Sequence, residues 1–363
     1  MPNRRIIPVF IPHYGCLHEC VFCNQQKISG VSEQVSAEHV SVIIAEALEA
    51  MKYASKHTEN CDYKSRPIEL AFYGGSFTAL SVSLQESLLS AAQKFIASNP
   101  QNTIRVSTRP DCIDFDIVNR LKRFGVKTIE LGAQSMCDAV LEMSGRGHCA
   151  SDVRAASEVI RASGLDLILQ MMTGLPGDSW ERSLDTARQI VALSPNGVRI
   201  YPTVIVKGTK LFDLWRAGLY AEHSVSEAVS LCAELCLIFD QVGIPIIRLG
   251  LNPSDELSGG AACAGAYHPA FGELVYSKIC FNKAVCLLTN VSPGSDVVIL
   301  VSKGFVSKMT GRRRENIEQL IRKFSLKSLN VSELSAESFS KVLPEMAIHV
   351  VSSSQFTGAS PDR

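Results

Sequence analysis

The 363-residue sequence lacks an excess of charge of either sign, because 36 Lys and Arg residues balance 36 Asp and Glu residues. This balance argues against a whole-molecule field that would attract nucleic acid or a membrane, so any such surface must be local. The sequence also lacks a basic end followed by a long apolar run, so neither a signal peptide nor a membrane span is predicted. We therefore expect a cytoplasmic protein with no membrane partner.

The composition is that of a globular chain. Hydrophobic residues make up 46% and charged residues 20%, enough for a large core. Twelve cysteines without a secretion signal are expected to be thiols and metal ligands rather than a disulfide framework.

Short β-rich runs alternate with segments that place apolar residues at helical spacing. The β-rich runs are residues 6–11, 68–73, 103–108, 127–132, 165–172 and 197–202. The helical segments are residues 37–54, 80–98, 113–124, 151–163 and 180–193. This alternation predicts an α/β protein with a parallel sheet, closed fully or partly into a (β/α) barrel. In such barrels the functional residues follow the strands.

The alternation ends near residue 250. This predicts a barrel domain of residues 1–250 and a small α+β C-terminal domain of residues 251–352. The second domain is predicted to contain a Gly-, Ala- and Ser-rich loop at 252–265, strands at 284–291, 297–302, 328–331 and 346–352, and a helix at 312–324. The polar tail at 353–363 is predicted to be disordered.

The segment after the first predicted strand carries Cys16, Cys20 and Cys23 in the pattern Cys-x3-Cys-x2-Cys, with no fourth cysteine close by. A structural zinc site needs four ligands, so it would require His13, His18 or a distant residue. Merely buried thiols fit poorly with a loop that also carries charged and amide side chains at the expected barrel mouth. Three cysteines can also hold a [4Fe-4S] cluster with one iron free of protein ligands.

This loop, with the aromatic Phe22 before its third cysteine, resembles the cluster-binding motif of the radical SAM superfamily. The resemblance implies a [4Fe-4S] cluster on Cys16, Cys20 and Cys23, with S-adenosyl-L-methionine (SAM) chelated on the open iron. It also implies a partial (β/α) barrel of the radical SAM type and cleavage of SAM to a 5′-deoxyadenosyl radical. A reducing partner such as ferredoxin or flavodoxin would supply the electron.

Three other strand ends are expected to contact SAM. Gly74 and Gly75 form either an ordinary tight turn or, by the same resemblance, the Gly-Gly motif that holds the methionyl amino group. Glu130 and Gln134 offer a carboxylate and an amide that suit a ribose. Gly174 lies in a Gly-x-Pro-Gly turn that either brings backbone groups to adenine or is a plain turn.

Longer sequence segments resemble the radical SAM half of the Elongator catalytic subunit family over about residues 6–250. These segments are residues 107–111, 130–135, 145–148, 199–203 and 207–209. Members of that family modify the wobble uridine of tRNA and join the radical domain to an acetyltransferase domain. Residues 251–363 are too few for such a domain, so we expect the sequence to lack it. Ser107 also departs from that family, which usually has Glu there.

Five polar residues are expected near the barrel mouth, and each also fits a solvated, salt-bridged or capping role. They are Arg109, His148, Arg199, Tyr201 and Lys207. Cys232 and Cys236, four residues apart on a predicted helix, fit core thiols. Cys263 is either a buried thiol or a hydrogen-atom donor to a substrate radical.

Residues 301–327 contain eight basic and two acidic residues, a local charge of +6. The basic residues are Lys303, Lys308, Arg312, Arg313, Arg314, Arg322, Lys323 and Lys327. The turn at 309–317 faintly resembles the Gly-x-x-Gly turn of KH domains, with Arg314 at the second Gly position. The segment fits either RNA contact or a solvated helix face.

Two classes of function stay open at this point. The first is a radical SAM enzyme that modifies a base of tRNA or, alternatively, a small molecule. The second is a non-catalytic iron–sulfur or zinc protein that binds RNA, which the departure at Ser107 would suit.

Overall fold

The computed structural model describes residues 4–11, 16, 20–29, 35–56, 67–97, 99–334 and 346–351. The chain forms two compact units. Unit 1 comprises Met1–Ala228 and Gln241–Pro269, and unit 2 comprises Val229–Asp240 and Ala270–Arg363. Residues 251–269 thus lie with unit 1, while the domain limits expected at residues 250 and 352 stay a prediction. The predicted disordered tail lies outside the described residues.

Strands and helices alternate along unit 1. Its strands are β1 (Arg5–Phe10), β2 (Ile68–Tyr73), β3 (Thr103–Thr108), β4 (Val126–Gln134), β5 (Asp166–Thr173), β6 (Gly197–Pro202), β7 (Val204–Val206), β8 (Ile246–Leu249) and β9 (Ala262–Gly265). The helices of this part are α1 (Gln25–Ser29), α2 (Ala37–Lys56), α3 (Val82–Ile96), α4 (Phe115–Arg123), α5 (Asp138–Met143), α6 (Ala150–Ala162), α7 (Trp180–Ala192), α8 (Lys210–Arg216) and α9 (Val225–Gln241). Residues 229–240 of α9 belong to unit 2.

Seven of these strands form one parallel sheet in the order β1-β2-β3-β4-β5-β6-β8. The sheet curls into a half-barrel with helical crossovers, which confirms the predicted fold class. All six strands predicted for the barrel domain are present. The sequence missed β8, because its four residues give too short an apolar run to stand out.

Strand β4 shows how the sheet separates core from polar groups. Ile129, Leu131 and Ala133 are fully buried on one face. The alternate residues, which include Glu130 and Gln134, point to the other face because successive side chains of a strand alternate. Polar side chains are thereby presented inside the curl of the sheet.

Side-chain caps fix where helices begin after the strands. Asp114 accepts a hydrogen bond from the N–H of Ile117 at 2.7 Å, and Ser179 accepts one from the N–H of Arg182 at 3.2 Å. Such caps typically contribute about 1 kcal/mol each. They hold α4 and α7 close behind the ends of β3 and β5.

Strands β7 and β9 pair antiparallel in a separate two-stranded sheet of unit 1. The prediction of a loop throughout 252–265 is therefore wrong for residues 262–265, and also for Leu257–Ala261, which form a short π-helical segment. The segment Ala-Cys-Ala-Gly has little intrinsic strand preference, and its strand hydrogen bonds come from β7, which is distant in sequence.

Unit 2 packs helices against a three-stranded sheet. Its further elements are α10 (Phe271–Leu288), β10 (Asp296–Val301), α11 (Val306–Thr310), α12 (Glu315–Phe324), β11 (Ser328–Glu333) and β12 (Met346–Val351). Strand β10 is central, parallel to β11 and antiparallel to β12. The core includes Leu288, Val297, Ile299, Met309 and Leu320.

The predicted strand at 284–291 is wrong, because residues up to Leu288 complete α10. Val275, Ile279, Ala284 and Leu288 are buried at helical spacing, and this longer pattern outweighs the local apolar run. The predicted helix at 312–324 begins later than expected, since residues 312–314 form a turn.

Cys232 and Cys236 are fully buried on α9, as expected of core thiols. Among the described helices, none combines the length and apolar content needed to cross a membrane.

Candidate functional site

A cavity of about 1160 Å³ lies at the carboxyl ends of the parallel strands of unit 1. All seven strands of the half-barrel contribute lining residues, together with the loops that follow them. Small-molecule sites usually occupy about 300–1000 Å³, so this space accommodates more than one small group.

Three cysteine side chains line this cavity, namely Cys16, Cys20 and Cys23. Two of the sulfurs accept hydrogen bonds, Cys20 from Arg146 Nη1 at 3.2 Å and Cys23 from Gln25 Nε2 at 3.3 Å. Such donors suit thiolates that carry negative charge. Among the described residues, no three His, Cys, Asp or Glu side chains are grouped closely enough to hold a metal ion. His13 and His18, the nearby candidates for a fourth zinc ligand, lie outside the described residues.

Burial affects the ionisation of two of these thiols, Cys16 and Cys23. It raises the pKa of Cys16, and it raises the pKa of Cys23 to about 12, with further contributions from the neighbouring thiols Cys20 and Cys16. A metal or cluster that binds here must therefore displace protons from thiols, as thiolate ligands require.

The paired glycines follow β2 and also line the cavity. Gly74 has φ +100°, a backbone conformation that residues other than glycine rarely adopt. A Cβ on Gly74 would lie 3.5 Å from Gln25 Oε1 and from the nitrogen of Ile11. Gly74 therefore allows β2 to turn sharply beside the end of β1.

At the wall of the cavity, Glu130 joins two arginines in a buried ionic network. Glu130 Oε2 lies 3.3 Å from Arg105 Nη1 and 3.0 Å from Arg199 Nε. Arg105 also lies 2.5 Å from the carboxylate of Glu69. Desolvation is offset by several partners here, as buried ion pairs require.

Arg199 extends this network to two tyrosines. It donates hydrogen bonds to the hydroxyl oxygens of Tyr73 at 2.9 Å and Tyr201 at 3.1 Å. Burial raises the pKa of Tyr73 to about 12 and also raises that of Tyr201, so both hydroxyls are neutral at neutral pH. Both tyrosines line the cavity.

Sequence reasoning missed Arg105, Glu69 and Tyr73. A signal was present, because Glu69 on β2 and Arg105 on β3 each stand directly between two apolar residues of their strand. A charged residue inside a buried strand indicates a partner on a neighbouring strand.

The ends of β2 and β3 together supply an arginine and two hydroxyl groups. Arg109 pairs with both carboxylate oxygens of Asp111 at 2.9 Å, and its backbone N–H donates to Ser76 Oγ at 3.3 Å. Ser107 Oγ is buried and has no hydrogen-bond partner among the described residues. Arg109, Ser76 and Ser107 all line the cavity, so Ser107 offers a free hydroxyl to an occupant.

The end of β4 turns sharply at Gln134, whose φ is +63°. Gln134 Oε1 accepts a hydrogen bond from Gln170 Nε2 at 3.2 Å, and both side chains line the cavity. Nearby His148 is buried, with Nε2 3.2 Å from the carbonyl oxygen of Ala133. Burial, followed by the charge of Arg146, lowers the pKa of His148 to about 4. His148 is therefore a neutral structural side chain and is not among the cavity-lining residues.

Gly174 does not line the cavity among the described residues. Its N–H donates to Asp178 Oδ2 at 2.8 Å, and its carbonyl accepts from the Tyr220 hydroxyl at 2.5 Å. A Cβ on Gly174 would lie 2.8 Å from His223 Nδ1. The turn is thus fixed by neighbouring parts of the chain.

Lys207 and Cys263 are likewise absent from the described lining. The carbonyl of Lys207 accepts a hydrogen bond from Lys27 Nζ at 2.7 Å. Cys263 Sγ donates to the carbonyl of Ile205 at 3.3 Å, which joins β9 to β7. The structure therefore groups the cysteines, paired glycines, Glu130, Gln134, Arg109, Arg199 and Tyr201 around one cavity, without Gly174, Lys207, His148 or Cys263.

Two family models match adjacent parts of the chain. The model described as the Radical SAM superfamily matches residues 10–190, and the Radical_SAM C-terminal domain matches residues 195–280.

Curated relatives match over part of their lengths. An uncharacterized protein of Methanocaldococcus jannaschii is 30% identical over 237 residues, which cover 63% of this chain and 70% of that protein. The tRNA uridine(34) acetyltransferase of the same organism is 28% identical over 193 residues, 48% of this chain and 36% of the relative. The chain therefore spans only about a third of that enzyme's length.

A solved structure has a similar fold. The archaeal Methanocaldococcus infernus Elp3 with an N-terminal deletion superimposes with a TM-score of 0.58 at 20% identity, over 82% of this chain and 71% of that one. At this identity the similarity concerns the fold alone.

Proposed function

The chain belongs to the radical SAM superfamily of enzymes, and we propose that Cys16, Cys20 and Cys23 bind a [4Fe-4S] cluster that cleaves SAM in the half-barrel cavity. The superfamily uses this cluster together with SAM. When bound, the cluster supplies the electron that breaks a C–S bond of SAM and yields a 5′-deoxyadenosyl radical.

The observation that carries this proposal is the donor set in the cavity. Three cysteine sulfurs from one loop face the same space, and two already accept N–H hydrogen bonds from Arg146 and Gln25. Thiolate ligands with N–H donors suit an iron–sulfur cluster, and three thiolates leave one iron open to another ligand.

Residues of the neighbouring strand ends would hold SAM. We assign the methionyl amino group to backbone carbonyls at Gly74 and Gly75, where the turn leaves room for close approach. Gln134 would bind the ribose hydroxyls. Glu130 would line the ribose site and hold Arg199 in place, since its carboxylate already has two arginine partners. Gly174 would shape the adenine site through its turn, because its own N–H and carbonyl are engaged.

We further propose that the radical acts on a base of tRNA. The name of the similar M. jannaschii enzyme refers to tRNA uridine(34), which supports this substrate class. A reducing protein such as ferredoxin or flavodoxin would supply electrons. We place the reaction in the cytoplasm, where SAM and tRNA are both available.

The small-molecule alternative is separated from the tRNA proposal by two measurements. Anaerobically reconstituted protein with dithionite and SAM should release 5′-deoxyadenosine, and its absence would favour a non-catalytic iron–sulfur protein. Nucleosides from tRNA of cells with and without the protein should then differ at one base. Identical nucleoside profiles alongside active SAM cleavage would favour a small-molecule substrate.

A further inference from the structure

The matched family models end at residue 280, and residues 301–327 of unit 2, with their local charge of +6, lie beyond that point. Three consecutive exposed arginines, Arg312, Arg313 and Arg314, form the turn between α11 and α12, which we name the tri-arginine turn. We propose that the tri-arginine turn binds the phosphate backbone of an RNA. The identification of that RNA as tRNA rests on the proposed function.

The tri-arginine turn is held firmly from inside the unit. Asn316 Nδ2 donates to Ser277 Oγ at 2.9 Å and to the carbonyl of Met309 at 3.1 Å. Gly311, with φ +75°, packs so closely that a Cβ there would lie 2.9 Å from Asn316 Cγ. The arginines are therefore displayed on a fixed backbone, which lowers the entropy lost on binding.

The backbone of the turn is unusual for the residues it carries. Arg313 has φ +50° and Arg314 has φ +65°, both in the left-handed region. Glycine or asparagine adopts this region at lower cost than arginine. The sequence keeps two guanidinium groups where the backbone alone would favour glycine.

Most of the local positive charge lacks an acidic partner within the described part of the chain. Lys327 pairs with Asp296 at 2.8 Å, and Lys308 lies 3.6 Å from Glu273 with its ammonium 4.6 Å from the Phe305 ring centroid. The basic residues without an ion pair to any described acid are Lys303, Arg312, Arg313, Arg314, Arg322 and Lys323. Glu315 and Glu318 on α12 reduce the positive field without pairing with the tri-arginine turn.

These features favour RNA phosphate over a membrane surface. Guanidinium groups match phosphate oxygens with two parallel N–H bonds each, and several on one turn suit a regularly spaced polyanion. Membrane-surface elements usually pair basic residues with exposed apolar side chains. Between residues 301 and 334, all of them described, no large hydrophobic side chain is exposed.

The main test uses the full chain with its cluster reconstituted and an unmodified tRNA transcript as probe, followed by fluorescence anisotropy across a salt series. In the variant Arg312→Gln/Arg313→Gln/Arg314→Gln, affinity should fall about tenfold or more. The slope of log affinity against log salt should shrink by about two to three, at about 0.7–0.9 per phosphate neutralised. Iron content and SAM cleavage without RNA should match the parent.

A matched pair of double variants separates this turn from general positive charge. Arg313→Gln/Arg314→Gln and Arg322→Gln/Lys323→Gln each remove two exposed charges, at opposite ends of α12. Only the first should weaken tRNA binding strongly. Equal losses in the two would overturn the assignment to the tri-arginine turn.

The variant Arg313→Gly/Arg314→Gly tests whether the arginines serve binding or structure. Glycine suits the left-handed backbone, so the melting temperature should rise while tRNA affinity falls. A higher melting temperature with unchanged affinity would contradict the proposal. So would a parent protein that binds no tRNA, or one that binds vesicles containing phosphatidylserine through the same arginines instead. These outcomes concern unit 2 alone, because 5′-deoxyadenosine release by the parent tests the proposed function separately.

Discussion

The guanidinium of Arg146 donates a hydrogen bond to the sulfur of Cys20 at 3.2 Å, although the two residues are 126 positions apart in sequence. Its other terminal nitrogen donates to the carbonyl of Gly132 at 2.7 Å, which fixes the guanidinium beside β4. Hydrogen bonds to thiolate ligands are one way in which a protein sets the reduction potential of an iron–sulfur cluster.

We expect Arg146→Met to lower the midpoint potential of the reconstituted cluster while iron content is retained. The N–H donor and the positive charge both favour the more negative, reduced cluster, and methionine supplies neither. A redox titration followed by electron paramagnetic resonance measures this potential. Arg146→Lys keeps the charge and should shift the potential less, and an unchanged potential in both variants would show that Arg146 is only a packing residue.

Replacement of Cys16, Cys20 or Cys23 by Ala should abolish cluster binding, because two thiolates cannot hold the cubane stably. The parent should contain about four irons per chain after anaerobic reconstitution, with the absorption of a [4Fe-4S] cluster. Cys263→Ala is the matched control, since Cys263 bonds the carbonyl of Ile205 away from the described cavity lining. Full iron content in all three loop variants would contradict the assignment.

The parts of the site that the sequence predicted are those carried by short contiguous segments. The three-cysteine loop and the paired glycines each lie within a few residues, so their pattern is visible without a fold. The bridge from Glu130 to Arg105 and Arg199 depends on strand register, which places Ser107 opposite Glu130 and Gln170 opposite Arg199. Register follows from the packing of whole strands and cannot be read from any one of them.

Gly75→Val should weaken SAM binding and leave the cluster intact. A branched side chain in the turn after β2 would fill the space through which backbone groups approach the ligand, whereas the cysteine loop keeps its ligands. Calorimetry with SAM on cluster-loaded protein measures the effect. Gly259→Val is the control, because a Cβ there meets nothing within 4 Å. Equal SAM affinity in both variants would leave the paired glycines as an ordinary turn.

Glu130→Gln should lower the free energy of unfolding by about 3 kcal/mol or more, since it leaves two buried guanidinium groups facing a neutral amide. Urea unfolding of the cluster-free chain measures this change. Asp111→Asn removes the partner of Arg109 at a more exposed site, where the Asp111 side chain is 22% exposed. That variant should lower the free energy of unfolding by less than Glu130→Gln does, because water reaches the Asp111 carboxylate. Equal losses in the free energy of unfolding would show that the buried network stabilises the fold no more than the pair of Arg109 and Asp111 does.

Stability should depend on pH through His148. Burial lowers the pKa of this imidazole from 6.5 to about 4, with a further contribution from the charge of Arg146. The unfolded chain therefore takes up the proton first as the pH falls. The contribution of neutral His148 is complete above pH 6.5, and stability is lost between about pH 6.5 and pH 4. The full loss is about 3 kcal/mol at 1.36 kcal/mol per pKa unit.

His148→Gln isolates this effect, because an amide can still donate to the carbonyl of Ala133 but does not titrate in this range. Urea unfolding at pH 7, 5.5 and 4 should show the parent losing stability relative to the variant by about 3 kcal/mol across the series. His39→Gln, at an exposed position on α2, is the control for the same substitution away from this site. If the curves of the parent and His148→Gln stay parallel from pH 7 to pH 4, His148 takes up its proton without cost in the folded chain. Its burial beside Arg146 would then have no consequence for acid stability.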